Sequence, residues 1–175
     1  MGAKWSIYVQ AQKERELMQY TENGPLGYYF EDIEVDRALV TRGRTVTEAD
    51  IVQFAGLTGD YNPMHTNAEY MKSHPMGQRV AHGMLTLSYA VGQLYQLGFM
   101  ERTVLAFRGL EMKFSLPVLI GDTIHVRLTV KEKKEMKRLG GGIITAEVKI
   151  LNQDGKAVQS GTMELLLASR PAAES

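Results

Sequence analysis

A chain of 175 residues with 44% hydrophobic and 23% charged side chains has the balance of a globular domain and the length for one full core. Its 20 basic and 20 acidic residues cancel to a net charge of zero, which argues against a general nucleic-acid binder, and the lack of cysteine excludes disulfides, a thiolate metal site and a cysteine nucleophile. No apolar run reaches membrane-spanning length, so no membrane partner is expected, and a cysteine-free chain suits a cytoplasmic location.

Residues 1–27 read as an N-terminal extension. Its start lacks the apolar core of a secretion signal, and Gly2 with Ser6 matches the loose N-myristoylation pattern, a string short enough to recur by chance. Glu14 to Tyr20 is helix-compatible and Asn23-Gly24-Pro25 ends it. Tyr28, Tyr29, Phe30 and Ile33 are expected to pack this arm onto a single domain spanning 28–170, with 171–175 a tail. Residues 38–46 carry β-branched and apolar side chains and predict a strand. Thr47 and Asp50 form a capping-box-like start, and Ile51, Phe54, Ala55 and Thr58 recur at helical spacing up to Gly59. A loop carrying Asp60 and His65 follows, which Pro63 keeps from regular helix, and then a short helix over Asn67 to Ser73.

His82 to Gly98 predicts the long helix. Met84, Leu85, Leu87, Ala90, Val91, Leu94 and Leu97 cover more than one face, as in a helix mostly buried by a surrounding sheet. The period then changes to two. Leu110, Met112, Phe114 and Leu116 alternate with polar residues, and Ile124, Val126, Leu128 and Val130 do so again after Gly121-Asp122. Gly140-Gly141-Gly142 breaks the chain. Ile143 to Leu151 and Lys156 to Ala168 predict two more strands joined by the turn Asn152-Gln153-Asp154-Gly155. These spacings suit an antiparallel sheet and an α+β class rather than βαβ units.

The chemistry concentrates in two short strings. Asp60 and His65 are residue types that transfer protons, and the Gly83 amide, in the first turn of the long helix, is a donor for a developing oxyanion. Each has a plain structural reading beside the chemical one. Asp60 after Gly59 is a common turn residue, His65 alone fits a hydrogen-bonded core histidine, and His82 is favoured as the N-cap of the long helix. Asn62 is placed either to orient the Asp60–His65 pair or to tie its own turn. Asp60, His65, His74 and His82 fall close together in sequence without any recognised metal-ligand spacing, so no metal is expected. Lys131 to Arg138 is locally basic. It reads first as a solvated strand end guarding a sheet edge and second as a contact for nucleotide phosphates.

Together, Thr58-Gly59-Asp60-Tyr61-Asn62-Pro63-Met64-His65 and His82-Gly83-Met84-Leu85 resemble the hydratase motif of the MaoC-like, (R)-specific enoyl-CoA hydratase family, and the resemblance extends over roughly residues 28–168. It implies a hotdog fold, an antiparallel sheet wrapped around a long central helix, in a homodimer or a higher homo-oligomer of dimers. It implies a hydro-lyase that hydrates trans-2-enoyl-CoA reversibly to 3-hydroxyacyl-CoA, with Asp60 and His65 activating water and Gly83 stabilising the thioester oxyanion. Tyr61, Asn62, His82 and Met84 are the expected substrate contacts. No metal and no bound cofactor are implied, because coenzyme A arrives as part of the substrate. A hotdog acyl-CoA thioesterase and a non-catalytic acyl-thioester binder are the alternatives. One departure stands out: some hydratases of this family carry a serine in the third turn of the central helix beside the acid, and the matching position here is Val91.

Overall fold

The computed structural model describes residues 27–171, so the expectations for Gly2, Ser6 and Glu14 to Tyr20, and for most of the tail, lie outside the described residues. Six strands form an antiparallel sheet: β1 (Ala38–Val40), β2 (Arg44–Thr45), β3 (Val104–Phe114), β4 (Thr123–Met136), β5 (Gly141–Leu151) and β6 (Ala157–Ala168). The order is β1-β4-β5-β6-β3, with β2 also paired to β4. Four helices, α1 (Glu48–Thr58), α2 (Pro63–Thr66), α3 (Ala68–Lys72) and α4 (Gly83–Gln96), lie between β2 and β3 in the chain.

Alternation decides which face of the sheet is covered. Val126, Leu128 and Val130 of β4 register with Ile150, Val148 and Ala146 of β5, Ile124 and Ile144 are buried beside them, and Met163, Leu165 and Leu167 of β6 continue the same face. Leu85, Leu87, Ala90 and Leu94 of α4 join them in one core cluster. Removing each of the Val, Leu, Ile and Met side chains from water contributes about 1.5–3 kcal/mol, enough in sum to fix the helix against the sheet. The result is the expected hotdog fold, a sheet around a central helix.

Three expectations need correction. The strand over 38–46 is two short strands, because the Thr41 hydroxyl accepts from the Val126 amide at 2.8 Å and the chain leaves the ladder before re-pairing at Arg44. The glycine run does not wholly break the chain. Gly140 closes a 3₁₀ turn at φ 68°, but Gly141 and Gly142 already belong to β5, where a Cβ on Gly141 would fall 1.8 Å from the Leu167 carbonyl oxygen. Nor is α4 covered on all sides. Met84 and Val91 stay 55% and 37% exposed, and with Ser88 and Tyr95 they form one bare stripe at i, i+4, i+7 and i+11.

The basic segment extends β4 and meets the arm before β1. Lys131 pairs with Asp36 at 3.0 Å, and Lys133 bonds the Ile33 carbonyl while its ammonium lies over the Phe30 ring. No helix among the described residues is long and apolar enough to cross a membrane.

Candidate active site

The site is assembled from the ends of three helices. Thr47 caps α1 as the sequence predicts: its hydroxyl accepts from the Asp50 amide at 3.3 Å while the Asp50 carboxylate accepts from the Thr47 amide at 2.8 Å. Asp50 also pairs with Arg44 at 3.1 Å, and the Arg44 guanidinium lies 3.6 Å over the ring of Tyr89 on α4. Partial burial and the bond to Asp50 push the Tyr89 hydroxyl up to about 12. This cluster ties the start of α1 to the flank of α4, and so fixes where α1 ends.

α1 ends at Gly59, whose φ of 77° is the left-handed turn that glycine tolerates without strain. The turn delivers Asp60, with one carboxylate oxygen accepting from the Asn62 amide at 3.2 Å. Asn62 is then an N-cap: its side-chain oxygen accepts from the Met64 amide at 3.1 Å. Its observed bond therefore ties its own turn. Pro63 does not exclude helix here, because it occupies the first helical position, where its missing N–H costs nothing. His65 thus sits on a helical turn rather than a loop. Its ring is buried, and Nδ1 lies 2.8 Å from the Val80 carbonyl. A carbonyl can only accept, so Nδ1 carries the proton and the lone pair of neutral His65 is on Nε2.

His82 differs from the expected N-cap. It holds that position ahead of α4, but its side chain makes no capping bond. The imidazole turns back into the site, only 2% exposed, and stacks on His65 with ring centroids 3.8 Å apart. Its Nε2–H donates to the Asp60 carbonyl oxygen at 3.0 Å. One residue therefore braces the imidazole of His65 and the backbone of Asp60 together. The next residue is Gly83, the first of α4, whose amide has no acceptor within the helix.

A carboxylate oxygen of Asp60 and one ring nitrogen from each of His65 and His82 lie within 4.8 Å of one another. A metal ion would need both imidazole lone pairs to converge at about 2.0–2.1 Å. Rings stacked at 3.8 Å with planes only 27° apart do not meet within that reach, so the stack as it stands does not suit chelation. His74 lies apart, its Nδ1 accepting from the Met76 amide after α3.

The remaining candidates rim the site. Tyr61 is 63% exposed with its hydroxyl beside Gly56 of α1, and Met84 heads the bare stripe of α4. Asp60 is exposed as well, so this part of the site is open in the single chain. Two contributors were not visible in the sequence: the Val80 carbonyl, which sets the His65 tautomer, and Gln159 of β6, whose Nε2–H donates to the Gly83 carbonyl at 2.8 Å. A backbone carbonyl leaves no residue signature. Gln159 left only a weak one, an amide beside buried Val158 in an otherwise ordinary strand.

A family profile described as MaoC like domain matches residues 32–150. Protein MaoC of Klebsiella aerogenes is 44% identical over 134 residues, which take in 76% of this chain but 37% of that protein, so the chain spans well under half its length. An (R)-specific enoyl-CoA hydratase of Rhodospirillum rubrum is 35% identical over 103 residues, covering 59% of this chain and 69% of that enzyme. Among solved structures, a monoamine oxidase regulatory protein of Archaeoglobus fulgius superposes with a TM-score of 0.77 at 37% identity, covering 83% of this chain and 97% of that one.

Proposed function

The chain belongs to the MaoC-like dehydratase family, and from that premise we propose that it is an (R)-specific enoyl-CoA hydratase, adding water to trans-2-enoyl-CoA and reversibly dehydrating the 3-hydroxyacyl thioester. The observation that carries the reading is the locked tautomer of His65. Its Nδ1–H is held by Val80, which leaves the Nε2 lone pair free to act as a base, and a carboxylate oxygen of Asp60 lies within 4.8 Å of one of its ring nitrogens.

In the hydration direction His65 and Asp60 take a proton from water as its oxygen bonds to C3. The C2–C3 π pair moves towards the thioester carbonyl, whose oxygen gains charge and accepts from the Gly83 amide at the positive end of α4. A proton then returns to C2, so that H and OH are added and the thioester is kept. Both proton-transfer groups come from one short stretch of chain, which favours delivery to one face of the double bond. The chemistry requires no metal and no bound cofactor; coenzyme A enters with the substrate. Residues 28–170 act as one domain, and we place the reaction in the cytoplasm.

We read the working unit as a homodimer or an assembly of dimers. Among the described residues β3 is an eleven-residue edge strand paired only with β6, and it exposes Leu105, Phe107, Leu110 and Phe114. Arg108, Glu111 and Lys113 are exposed along it as well, but an edge of that length with four bare apolar side chains still offers a surface on which another strand can pair. Pairing there would also shelter the open rim of the site.

Mixing the protein with crotonyl-CoA and following the conjugated-thioester absorbance, with free thiol read in parallel, tests the activity. The expected result is absorbance loss without thiol, reduced about 10²-fold or more in both Asp60→Asn and His65→Gln. Thiol release would replace the reading with a thioesterase. Full activity in either variant would remove that residue from the mechanism.

A further inference from the structure

Gln159 sits 2% exposed on the helix-facing side of β6, with Phe114 of β3 as its cross-strand partner. Its Nε2–H reaches across to the Gly83 carbonyl at 2.8 Å, whereas its Oε1 is buried without a hydrogen-bond partner among the described residues. Phe114 presses on the same residue: a Cβ on Gly83 would lie 2.7 Å from two ring carbons. Two neighbours in the sheet therefore hold the first residue of α4 by its carbonyl and by its α-carbon.

Stability does not account for this arrangement. The Gly83 carbonyl is already the acceptor for the helix's own amide four residues on, so the Gln159 bond is a second bond to a group in use. Against it stands a buried acceptor with nothing to accept, which costs more than an average hydrogen bond returns. A leucine would pack the position without that cost. What Gln159 adds is definition at a residue that has no side chain of its own to anchor it, and glycine loses the most freedom on being fixed.

We propose that Gln159 is a positioning residue that acts through Gly83: its amide clamps the first turn of α4 so that the Gly83 N–H stays aimed at the oxyanion. The inference rests on the hydratase reading above. A site must hold its groups within about 0.5 Å, and a misplacement of about 1 Å costs about 10²-fold in rate.

Gln159→Leu removes both polar atoms at similar volume, and Gln159→Met does so with an unbranched side chain that adapts to the same space. Three quantities are measured beside wild type: the melting temperature, kcat and KM on crotonyl-CoA, and the amide resonances of Gly83 and Met84. The expected result in both variants is an unchanged or higher melting temperature, a kcat lower by about tenfold or more with KM within about twofold, and displaced Gly83 and Met84 resonances. An unchanged kcat, unmoved resonances, or a kcat loss that merely follows lost stability would each overturn the proposal. A wild-type protein inert towards enoyl-CoA would overturn the hydratase reading itself, and that shows before any variant is made.

Discussion

Replacing Gly83 by proline should abolish most of the activity while sparing the helix. Gly83 is the first helical residue, so its N–H serves no bond within α4, and proline is well tolerated there. His82 before it, at φ −59° and ψ 134°, already has the extended conformation that proline requires of its predecessor. The cost is steric, since a new Cβ meets the Phe114 ring at 2.7 Å. Phe114 is 55% exposed and its ring has room to turn outward, so the loss of stability should stay within about 1–3 kcal/mol. Gly83→Ala brings the same Cβ to the same ring but keeps the N–H. The ratio of the two variants therefore isolates the donor, about 2.7–4 kcal/mol of barrier, or about 10²–10³-fold lower kcat for proline than for alanine. Crotonyl-CoA hydration, with thermal unfolding of both variants alongside, provides the comparison. Equal kcat in the two folded variants would refute the assignment of Gly83 as the oxyanion donor.

His82→Phe keeps a ring against His65 but cannot donate to the Asp60 carbonyl; kcat should fall about tenfold to a hundredfold with KM little changed, and wild-type kinetics would show that the brace is dispensable. Asp50→Asn should destabilise the protein in a pH-dependent way. Burial raises the Asp50 carboxyl, but bonds from Tyr89 and Thr47 and the charge of Arg44 outweigh it and hold the group below its ordinary 3.8. A depressed folded-state value stabilises above the unfolded one and is lost as pH falls through it, so urea midpoints of wild type and variant should differ at pH 7 and converge below the ordinary carboxylate range. A gap of constant size would mean that the charge is irrelevant. Leu110→Lys, on the free edge of β3, should shift the assembly towards single chains in sedimentation, and an unchanged mass would move the interface elsewhere.

The local signals were legible because they are local. The capping box at Thr47, the left-handed stop at Gly59, the alternation of Ile124 to Val130 and the turn at Asn152 to Gly155 each depend on residues within one turn of helix or one strand pair, and each stands where the pattern put it. The nearness of Asp60 and His65 was legible for the same reason, since Asp60 lies in the turn after α1 and His65 on the short α2 that follows. Pro63 misled because one residue type serves both to break a helix and to begin one, and only the Asn62 cap ahead of it decides which.

What remained depends on groups that meet across the chain. Whether His82 caps α4 or turns inward is set by the space beside His65 and by the Asp60 carbonyl 22 residues away. The proton on His65 is placed by a carbonyl 15 residues on, and Gly83 is held by Gln159 from 76 residues away. The bare stripe of α4 likewise follows from the sheet covering one side of the helix, which helical periodicity alone cannot reveal. Residue types and spacing thus determined which chemical groups this protein has; tertiary packing decided which way each one faces, because orientation is set by contacts that carry no order along the chain.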